Sequence, residues 1–269
     1  MRGISRSSLQ EVTERLGTVL ESADTAALGA ELFDVVALLE REHTLRRWLA
    51  DPANPAEAKS GLIGELLESQ ASPSTVMVVG DVVQARWSRQ RDLIDAVERA
   101  AVFATIARVE SEQRLGELED ELFRFSRVIA GDTELRAALT DESVSEVRKG
   151  GIVEALLAGK ADPATTTLVT RVVTHPRGRT LEDGLEYYGQ LVAERAQRYV
   201  ALVRTAVVLS EDRQERLRAS LARIYGRPIH LNIDVDPSIV GGLSIRVGDE
   251  VIDGTITGRL GEVRRRLAG

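Results

Sequence analysis

Cysteine is absent from this chain of 269 residues, and aromatic residues make up only 4% of it. The lack of cysteine excludes disulfides, thiolate catalysis and cysteine-ligated metal sites, and the scarcity of aromatics leaves Leu, Val, Ile and Ala to form the cores. No apolar run approaches the ~18 residues that a membrane-spanning helix needs, and the N-terminus lacks the apolar segment of a signal peptide. The sequence therefore predicts a soluble, cytoplasmic protein that reaches a membrane only through partners.

Basic residues are fewer than acidic ones: the chain has 35 Lys and Arg and 42 Asp and Glu, which gives a formal net charge of −7. A chain of this charge is repelled by nucleic-acid phosphates unless its basic residues are segregated into a patch. A short basic run, Arg264-Arg265-Arg266, is interpreted as a helix C-terminus, where cations complement the helix dipole. We therefore expect no nucleic-acid partner.

Sequence patterns that carry chemistry are missing as well. The three histidines lie far apart, and none has a partner four residues away for a metal site. Neither a nucleophile elbow nor a phosphate-binding loop is present, and Gly241-Gly242 precedes a predicted strand rather than a helix N-terminus. Four C-terminal aspartates do not match a calcium loop and are mostly turn residues: Asp234, Asp236, Asp249 and Asp253. The sequence thus predicts no catalytic residue, no metal site and no cofactor.

The chain contains an internal duplication with a shift of 90 residues. Residues 31–83 match residues 121–173 without gaps at 17 of 53 positions, against about four expected from average composition. The matches include Glu31-Leu32-Phe33 with Glu121-Leu122-Phe123, and Pro73 with Pro163. We interpret this similarity as a tandem duplication of one helical unit.

Each copy has the apolar period of α-helices. One stripe in the second copy consists of Leu115, Leu118, Leu122, Phe125 and Ile129, and a later one of Leu181, Leu185, Tyr188 and Val192. Turn-forming segments such as His175-Pro176-Arg177-Gly178 separate the helices. Each copy is therefore predicted to be a bundle of about five or six short helices.

The pattern changes from about Tyr199. Residues 200–209, 229–235 and 243–247 alternate as half-buried strands, and Val251-Ile252 continues the last of them beyond a turn. A helix follows Ser210 with a predicted buried stripe of Leu217, Leu221 and Ile224. The predicted fold is mainly α, with tandem helical bundles and a small α+β C-terminal module. The predicted domains are a first bundle over 1–108, a second bundle ending in a connector helix over 109–198, and the module over 199–269.

The turns of the module carry a resemblance to a known family. Residues 235–243 read V-D-P-S-I-V-G-G-L, and residues 245–255 read I-R-V-G-D-E-V-I-D-G-T. These two segments resemble the sequence signature of the delta subunit of F-type ATP synthases, a family that includes the mitochondrial oligomycin-sensitivity-conferring protein. The resemblance covers residues 109–269, and the additional first copy is similar to the long actinobacterial form of the subunit. The matching motif residues, which we expect to be structural, are Asp236, Pro237, Gly241, Gly242, Gly248, Asp253 and Gly254.

The resemblance implies a stator function without catalysis. The helical bundle would bind N-terminal segments of the ATP synthase alpha subunits, and the module would bind the b-subunit stalk, at the cytoplasmic face of the cell membrane. An apolar groove on a bundle would suit an amphipathic partner helix, and a second bundle would add a docking site. A helical scaffold or regulatory protein unrelated to ATP synthase is the alternative function.

One face of the last predicted helix is the candidate for stalk binding. This helix begins near Thr255, and its apolar face consists of Leu260, Val263 and Leu267. The same face could instead pack on the module's own sheet, and both interpretations are compatible with the pattern. For Gly241, Gly242, Gly248 and Gly254 we expect positive φ or close packing.

Overall fold

The computed structural model describes residues 3–196, 199–225, 229–237, 239, 241–247 and 250–253. The helices are α1 (Ile4–Leu20), α2 (Thr25–Arg41), α3 (His43–Ala50), α4 (Ala56–Leu67), α5 (Pro73–Gln84), α6 (Gln90–Ser111), α7 (Leu115–Gly131), α8 (Thr133–Thr140), α9 (Glu146–Leu157), α10 (Pro163–Thr174), α11 (Leu181–Arg195) and α12 (Glu211–Tyr225). The strands are β1 (Tyr199–Thr205), β2 (Ile229–Val235), β3 (Leu243–Val247) and β4 (Glu250–Asp253). The predicted fold class, mainly α with a small α+β module at the C-terminus, is confirmed.

The helix bounds repeat along the chain with the period of the duplication. Moving α2, α3, α4 and α5 by 90 residues reproduces the first and last residues of α7, α8, α9 and α10. The same shift places α1 on residues 94–110, which lie within α6. Helix α6 is therefore both the last helix of the first copy and the first helix of the second.

The surroundings of α6 explain its composition. Side chains are buried all round this helix, from Leu93 to Val109, and it packs against α1, α2, α3, α5 and α10. A helix that is buried on every side needs neighbours on every side. The apolar segment 100–107 is thus the centre of a core that the two copies share.

Packing divides the chain into two compact units. Unit one contains Met1–Arg114 and Glu134–Gly184, and unit two contains Leu115–Thr133 and Leu185–Gly269. The predicted domain limits at 108 and 198 follow the duplication in the sequence, whereas these units follow contacts between helices. The predicted limits therefore remain a prediction, and a cut after residue 108 would remove α6 from the second copy.

The N-termini of α5 and α10 show how the copies diverged. Ser72 caps α5, and the Glu31 carboxylate accepts hydrogen bonds from the Ser72 N–H at 2.8 Å, the Ser72 hydroxyl at 2.7 Å and the Thr75 hydroxyl at 2.6 Å. Asp162 takes the position of Ser72 at α10, where it accepts hydrogen bonds from Arg108 at 2.7 and 2.8 Å. The carboxylate that caps α10 is therefore paired with a cationic side chain, whereas the hydroxyl that caps α5 is paired with an anionic one.

We expect Glu31→Gln to lower the free energy of unfolding by about 1–2 kcal/mol, because charge-assisted hydrogen bonds are replaced by neutral ones. Burial acts to raise the pKa of the Glu31 carboxyl, but the hydrogen bonds from Thr75 and Ser72 outweigh it and leave that pKa lowered. A depressed carboxyl pKa stabilises the fold above the unfolded pKa and ceases to do so as pH falls through the folded pKa. Denaturant titrations should therefore show the difference at pH 7 and lose it in acid. A difference that is constant with pH would contradict this assignment.

Unit two contains a four-stranded sheet in the order β2-β1-β3-β4. Strands β1 and β2 are parallel and are joined through α12, whereas β1–β3 and β3–β4 are antiparallel. The strands predicted over 229–235 and 243–247 are confirmed at those residues. Helix α12 lies on one face of the sheet, over a core that includes Ala201, Val203, Leu231, Ile245 and Val247.

The prediction that Ile224 belongs to the buried stripe on α12 is wrong. Leu221 is buried and Leu217 packs on the sheet core, but Ile224 is 65% exposed. Ala222 and Tyr225 contact the core instead. The buried face of α12 therefore includes these two residues in place of Ile224. The rotation of the helix about its axis is determined by its contact with the sheet, and the apolar period alone does not determine it.

The predicted stripes on α7 and α11 are buried. Along α7, the residues from Leu115 to Ile129 in the stripe are at most 6% exposed, and Leu181, Leu185, Tyr188 and Val192 are at most 5% exposed. Within unit two, α7 contacts β2 and Arg127 forms an ion pair with Asp234. Arg246 of β3 donates to both oxygens of the Glu186 carboxylate, at 2.8 and 2.9 Å. The polar face of the sheet thus meets helices of the second copy.

Candidate partner-binding surfaces

The turn between β2 and β3 is held by backbone and ionic contacts. The Asp236 N–H donates to the Thr205 carbonyl at 2.8 Å, and the Ile239 N–H donates to the Asp236 carbonyl at 3.1 Å. The Asp236 carboxylate also forms an ion pair with Arg204. Asp236 therefore connects the end of β2 to the end of β1, and these contacts stabilise the turn.

Two glycines of the same turn have the predicted conformation. Gly241 and Gly242 adopt φ values of 141° and 84°, a region that side chains disfavour. Pro237 lies in the preceding turn, and Asp253 pairs with Ser244 along β4 through its backbone. Gly248, Gly254 and the predicted stalk-binding residues Leu260, Val263 and Leu267 lie outside the described residues, so their assignments remain predictions.

The histidines whose side chains are described have local partners. The His43 ring nitrogen Nδ1 lies 2.6 Å from Arg46, and the His175 Nδ1 lies 2.8 Å from the Thr174 hydroxyl. Across the described ranges, no group of three or more His, Asp or Glu side chains is placed to hold a metal ion.

The apolar stripes predicted on α7 and α11 are covered by other residues of the chain. Their residues are buried within the chain itself, as Leu118 and Leu122 show at 1% exposure each. Burial of these residues leaves the expected apolar groove for a partner helix a prediction.

A buried ionic cluster joins the second copy to the first within unit one. Arg177, from the turn between α10 and α11, donates from Nε to Glu40 at 2.7 Å and from Nη2 to Asp95 at 2.9 Å, and it also pairs with Glu98. Arg179 donates to both Glu98 oxygens at 3.0 and 3.1 Å. The side chains of Arg177 and Glu98 are only 3% and 1% exposed. The cluster therefore anchors this turn to α2 and α6.

Electrostatics in the cluster follow from its burial. Burial raises the pKa of the Asp95 carboxyl, against the lowering influence of Arg177. Burial also disfavours the charged guanidinium, but Glu98, Glu40 and Asp95 together raise the pKa of Arg177 above its ordinary value. Arg177 has φ of 54°, a conformation uncommon for a residue with a side chain. The ion pairs hold the turn in this conformation.

The corresponding positions of the first copy are uncharged. Asp95, Glu98 and Arg177 correspond to Ser5, Ser8 and Trp87. The Ser5 hydroxyl accepts from the Ser88 N–H and donates to Asp92, each at 2.8 Å, and the Ser8 hydroxyl donates to the Arg86 carbonyl at 2.8 Å. The sequence patterns did not find the ionic cluster. A signal that could have indicated it is the presence of Asp95 and Glu98 among the apolar residues of a predicted core helix.

Exposed apolar side chains are concentrated in unit two. Among the described residues of unit one, Ile4, Met77 and Val147 are the large apolar side chains that are exposed. Those of unit two are Val128, Val207, Val208, Ile224, Val251 and Ile252. Scattered apolar residues are ordinary on any surface, so the three of unit one do not define a site. Unit two offers more apolar surface to a partner.

Comparison with known families adds independent information. The model of the family "ATP synthase delta (OSCP) subunit" matches residues 100–267. The match begins inside α6 and not at the predicted start of 109, as expected if α6 is the first helix of the second copy.

Relatives match the whole chain. ATP synthase subunit delta of Thermobifida fusca is 64% identical over 269 residues, which is 100% of both chains. ATP synthase subunit delta of Streptomyces griseus is 47% identical over 271 residues, also 100% of both chains. A solved chain of the Toxoplasma gondii mitochondrial ATP synthase hexamer is 18% identical, with a TM-score of 0.40 over 62% of this chain and 95% of that chain.

Proposed function

Because this chain belongs to the ATP synthase delta (OSCP) subunit family and is a stator subunit of an F-type ATP synthase, we propose that it joins the catalytic head to the stalk without chemistry of its own. The alpha subunits would be bound through their N-terminal segments and the b subunits through the stalk. The full-length match to subunit delta of actinobacteria is the observation that carries this proposal. Family membership removes the alternative of an unrelated scaffold.

The packing within unit one supports a role in transmitting torque. A stator must transmit torque between two partners without dissociating or yielding. Helix α6 gives the two copies one core, and the Arg177 cluster anchors a turn of the second copy to α2 of the first. Close-packed interiors transmit strain because they have low compressibility. Unit one, which contains helices of both copies, is thus suited to transmit force, whichever of its surfaces binds the head.

The chain is a peripheral component of a membrane-bound complex. In the ranges that the structure describes, no helix combines the length and the apolar character required to cross a bilayer. We propose that it lies at the cytoplasmic face of the cell membrane and is held there by its partners. Its net charge of −7 would also disfavour direct adsorption to anionic lipid.

The proposal predicts that membranes stripped of this chain release the catalytic head. Sedimented membranes should lose most of their ATP hydrolysis activity to the supernatant, and added full-length chain should restore both sedimentation and proton-coupled hydrolysis. A chain that begins at residue 90 keeps α6 and should restore sedimentation less well if the duplication strengthens the joint. The purified chain should hydrolyse no ATP. Stripped membranes that keep a coupled head would contradict the stator role, and equal restoration by the short chain would remove the role of the duplication.

A further inference from the structure

The buried Arg177 cluster contains more negative than positive charge, because three carboxylates converge on two guanidinium groups. The carboxylates belong to Glu40 of α2 and to Asp95 and Glu98 of α6, and the guanidinium groups belong to Arg177 and Arg179 of the turn. The side chains of Arg177 and Glu98 are almost completely buried. A carboxylate in excess is unfavourable in such surroundings, because water cannot stabilise its charge, and a bound proton removes that charge.

The other charged groups of α6 near Asp95 are directed elsewhere. Arg91 donates to a backbone carbonyl of the turn at 2.8 Å, at the exposed rim of the cluster. Asp92, one turn before Asp95, is itself acidic and accepts a hydrogen bond from the Ser5 hydroxyl of α1 at 2.8 Å. Arg99, one turn after Asp95, has its guanidinium carbon 4.6 Å from the centroid of an aromatic ring. Among the described residues, the cations that pair with Asp95 are therefore the two arginines of the turn.

Charged groups of the neighbouring elements also have partners outside the cluster. Arg46 of α3 donates to two backbone carbonyls of α2, at 3.2 and 3.4 Å. His175 begins the turn, and its Nε2 lies 3.8 Å from the carboxylate of Glu146 on α9. On α11, Glu182 pairs with Arg136 of α8 at 3.0 Å. The excess negative charge of the cluster therefore stays with its own carboxylates.

Asp95 is the carboxylate of the cluster that is best placed to hold a proton. Glu98 is more deeply buried, but it pairs with both guanidinium groups. The Glu40 side chain is 32% exposed, so water can stabilise its charge. The Asp95 side chain is 20% exposed, and Arg179 lies 3.9 Å from its carboxylate. Burial raises the pKa of the Asp95 carboxyl, and the nearby Glu98 carboxylate raises it further, against the lowering influence of Arg177.

We infer that Asp95 is a proton-binding site, and that proton uptake there strengthens the attachment of the turn to α2 and α6. With Asp95 neutral, two carboxylates remain for two guanidinium groups. Arg177 can still donate to the carbonyl oxygen of a neutral carboxyl, so the contact at 2.9 Å is kept. A carboxyl whose pKa is raised by folding destabilises the fold above that pKa, and this destabilisation is lost as pH falls. The junction between the copies should therefore become firmer in mild acid.

Asp95→Asn in the full-length chain tests this site, because an amide resembles the neutral carboxyl in shape and charge. At pH 8 the variant should unfold with a several-fold smaller equilibrium constant than the unaltered chain, although an ion pair has been removed. Amide hydrogen exchange in the turn should slow by a similar factor. At pH 5 both differences should be smaller, because the unaltered chain then carries the proton itself. Denaturant titration and hydrogen-exchange mass spectrometry of the isolated chain measure both differences, independently of the stator role.

Glu40→Gln is the matched control, because it makes the same chemical change at another carboxylate that binds Arg177. This variant should gain no stability at pH 8, since water already stabilises the Glu40 charge. In the unaltered chain, the Asp95 carboxyl should titrate by carbon-13 NMR with a midpoint above the ordinary aspartate value of about 3.9. A midpoint at or below that value overturns the proton site, and so does a folded Asp95→Asn chain that is less stable than the unaltered chain at pH 8. Equal gains in both variants would show that the excess charge is not held at Asp95.

Discussion

Arg177→Met should lower the free energy of unfolding by about 3 kcal/mol, because it removes a buried cation that three carboxylates share. Glu40 loses this partner, whereas Glu98 keeps Arg179 at 3.0 Å and Asp95 keeps it at 3.9 Å. The loss should shrink as pH falls, since the Asp95 carboxyl, whose pKa is raised by burial, destabilises the fold only when it is ionised. Denaturant titration at pH 8 and pH 5 measures both effects.

Two further variants separate the charge from the packing in this cluster. Arg148→Met removes an exposed arginine of α9 and should change stability by less than about 0.5 kcal/mol. Adding Asp95→Asn to Arg177→Met should recover part of the loss, because one unpaired charge disappears with its partner. If Arg177→Met costs no more than Arg148→Met, the cluster does not anchor the turn. If the double variant recovers nothing, the loss comes from packing.

Gly29→Ala should destabilise the protein by about 2 kcal/mol, although alanine is the better helix former. A Cβ at position 29 would lie 2.6 Å from the Thr105 hydroxyl oxygen, 3.1 Å from the Thr105 backbone nitrogen and 3.3 Å from its Cα. The side chain can rotate, but the α6 backbone cannot move without disturbing the core on its other sides. Thermal unfolding followed by circular dichroism measures the change.

The control for this variant is the same substitution at another helical glycine. Gly61 lies within α4, and a Cβ there would meet no atom within 4 Å. Gly61→Ala should therefore raise stability by up to about 1 kcal/mol through helix propensity alone. Thr105→Ala should recover part of the loss in Gly29→Ala by removing the nearest atom. Two glycine variants that shift stability in the same direction would show that α2 and α6 are not in close contact at this point.

Much of the secondary structure could be predicted because its signals are local. The duplication predicted that one set of helices would recur, and α4 and α5 recur as α9 and α10 at the expected residues. Strict alternation located β2 and β3, since side chains of a strand point to opposite faces. The Gly241-Gly242 pair indicated a backbone that side chains disfavour, and both residues have positive φ.

The sites were predicted less well, because they depend on contacts between distant residues. The apolar stripe of α7 correctly indicated which face is buried, but it did not show that the chain's own core would cover that face. Ile224 fits the helical period and is nevertheless exposed, because the sheet selects the rotation of α12. Arg177 follows a proline in an ordinary turn sequence, and only folding brings it to Glu40.

The amino-acid sequence by itself determined the duplication, the helical and strand segments and the family, because each is written in the order and period of neighbouring residues. The tertiary structure decided that α6 belongs to both copies and that Asp95 and Glu98 meet Arg177. An apolar helical period indicates that one face of a helix must be buried, but any apolar surface of matching shape can bury it. The choice among those surfaces is made by close packing of the whole unit, in which α6 is surrounded on all sides.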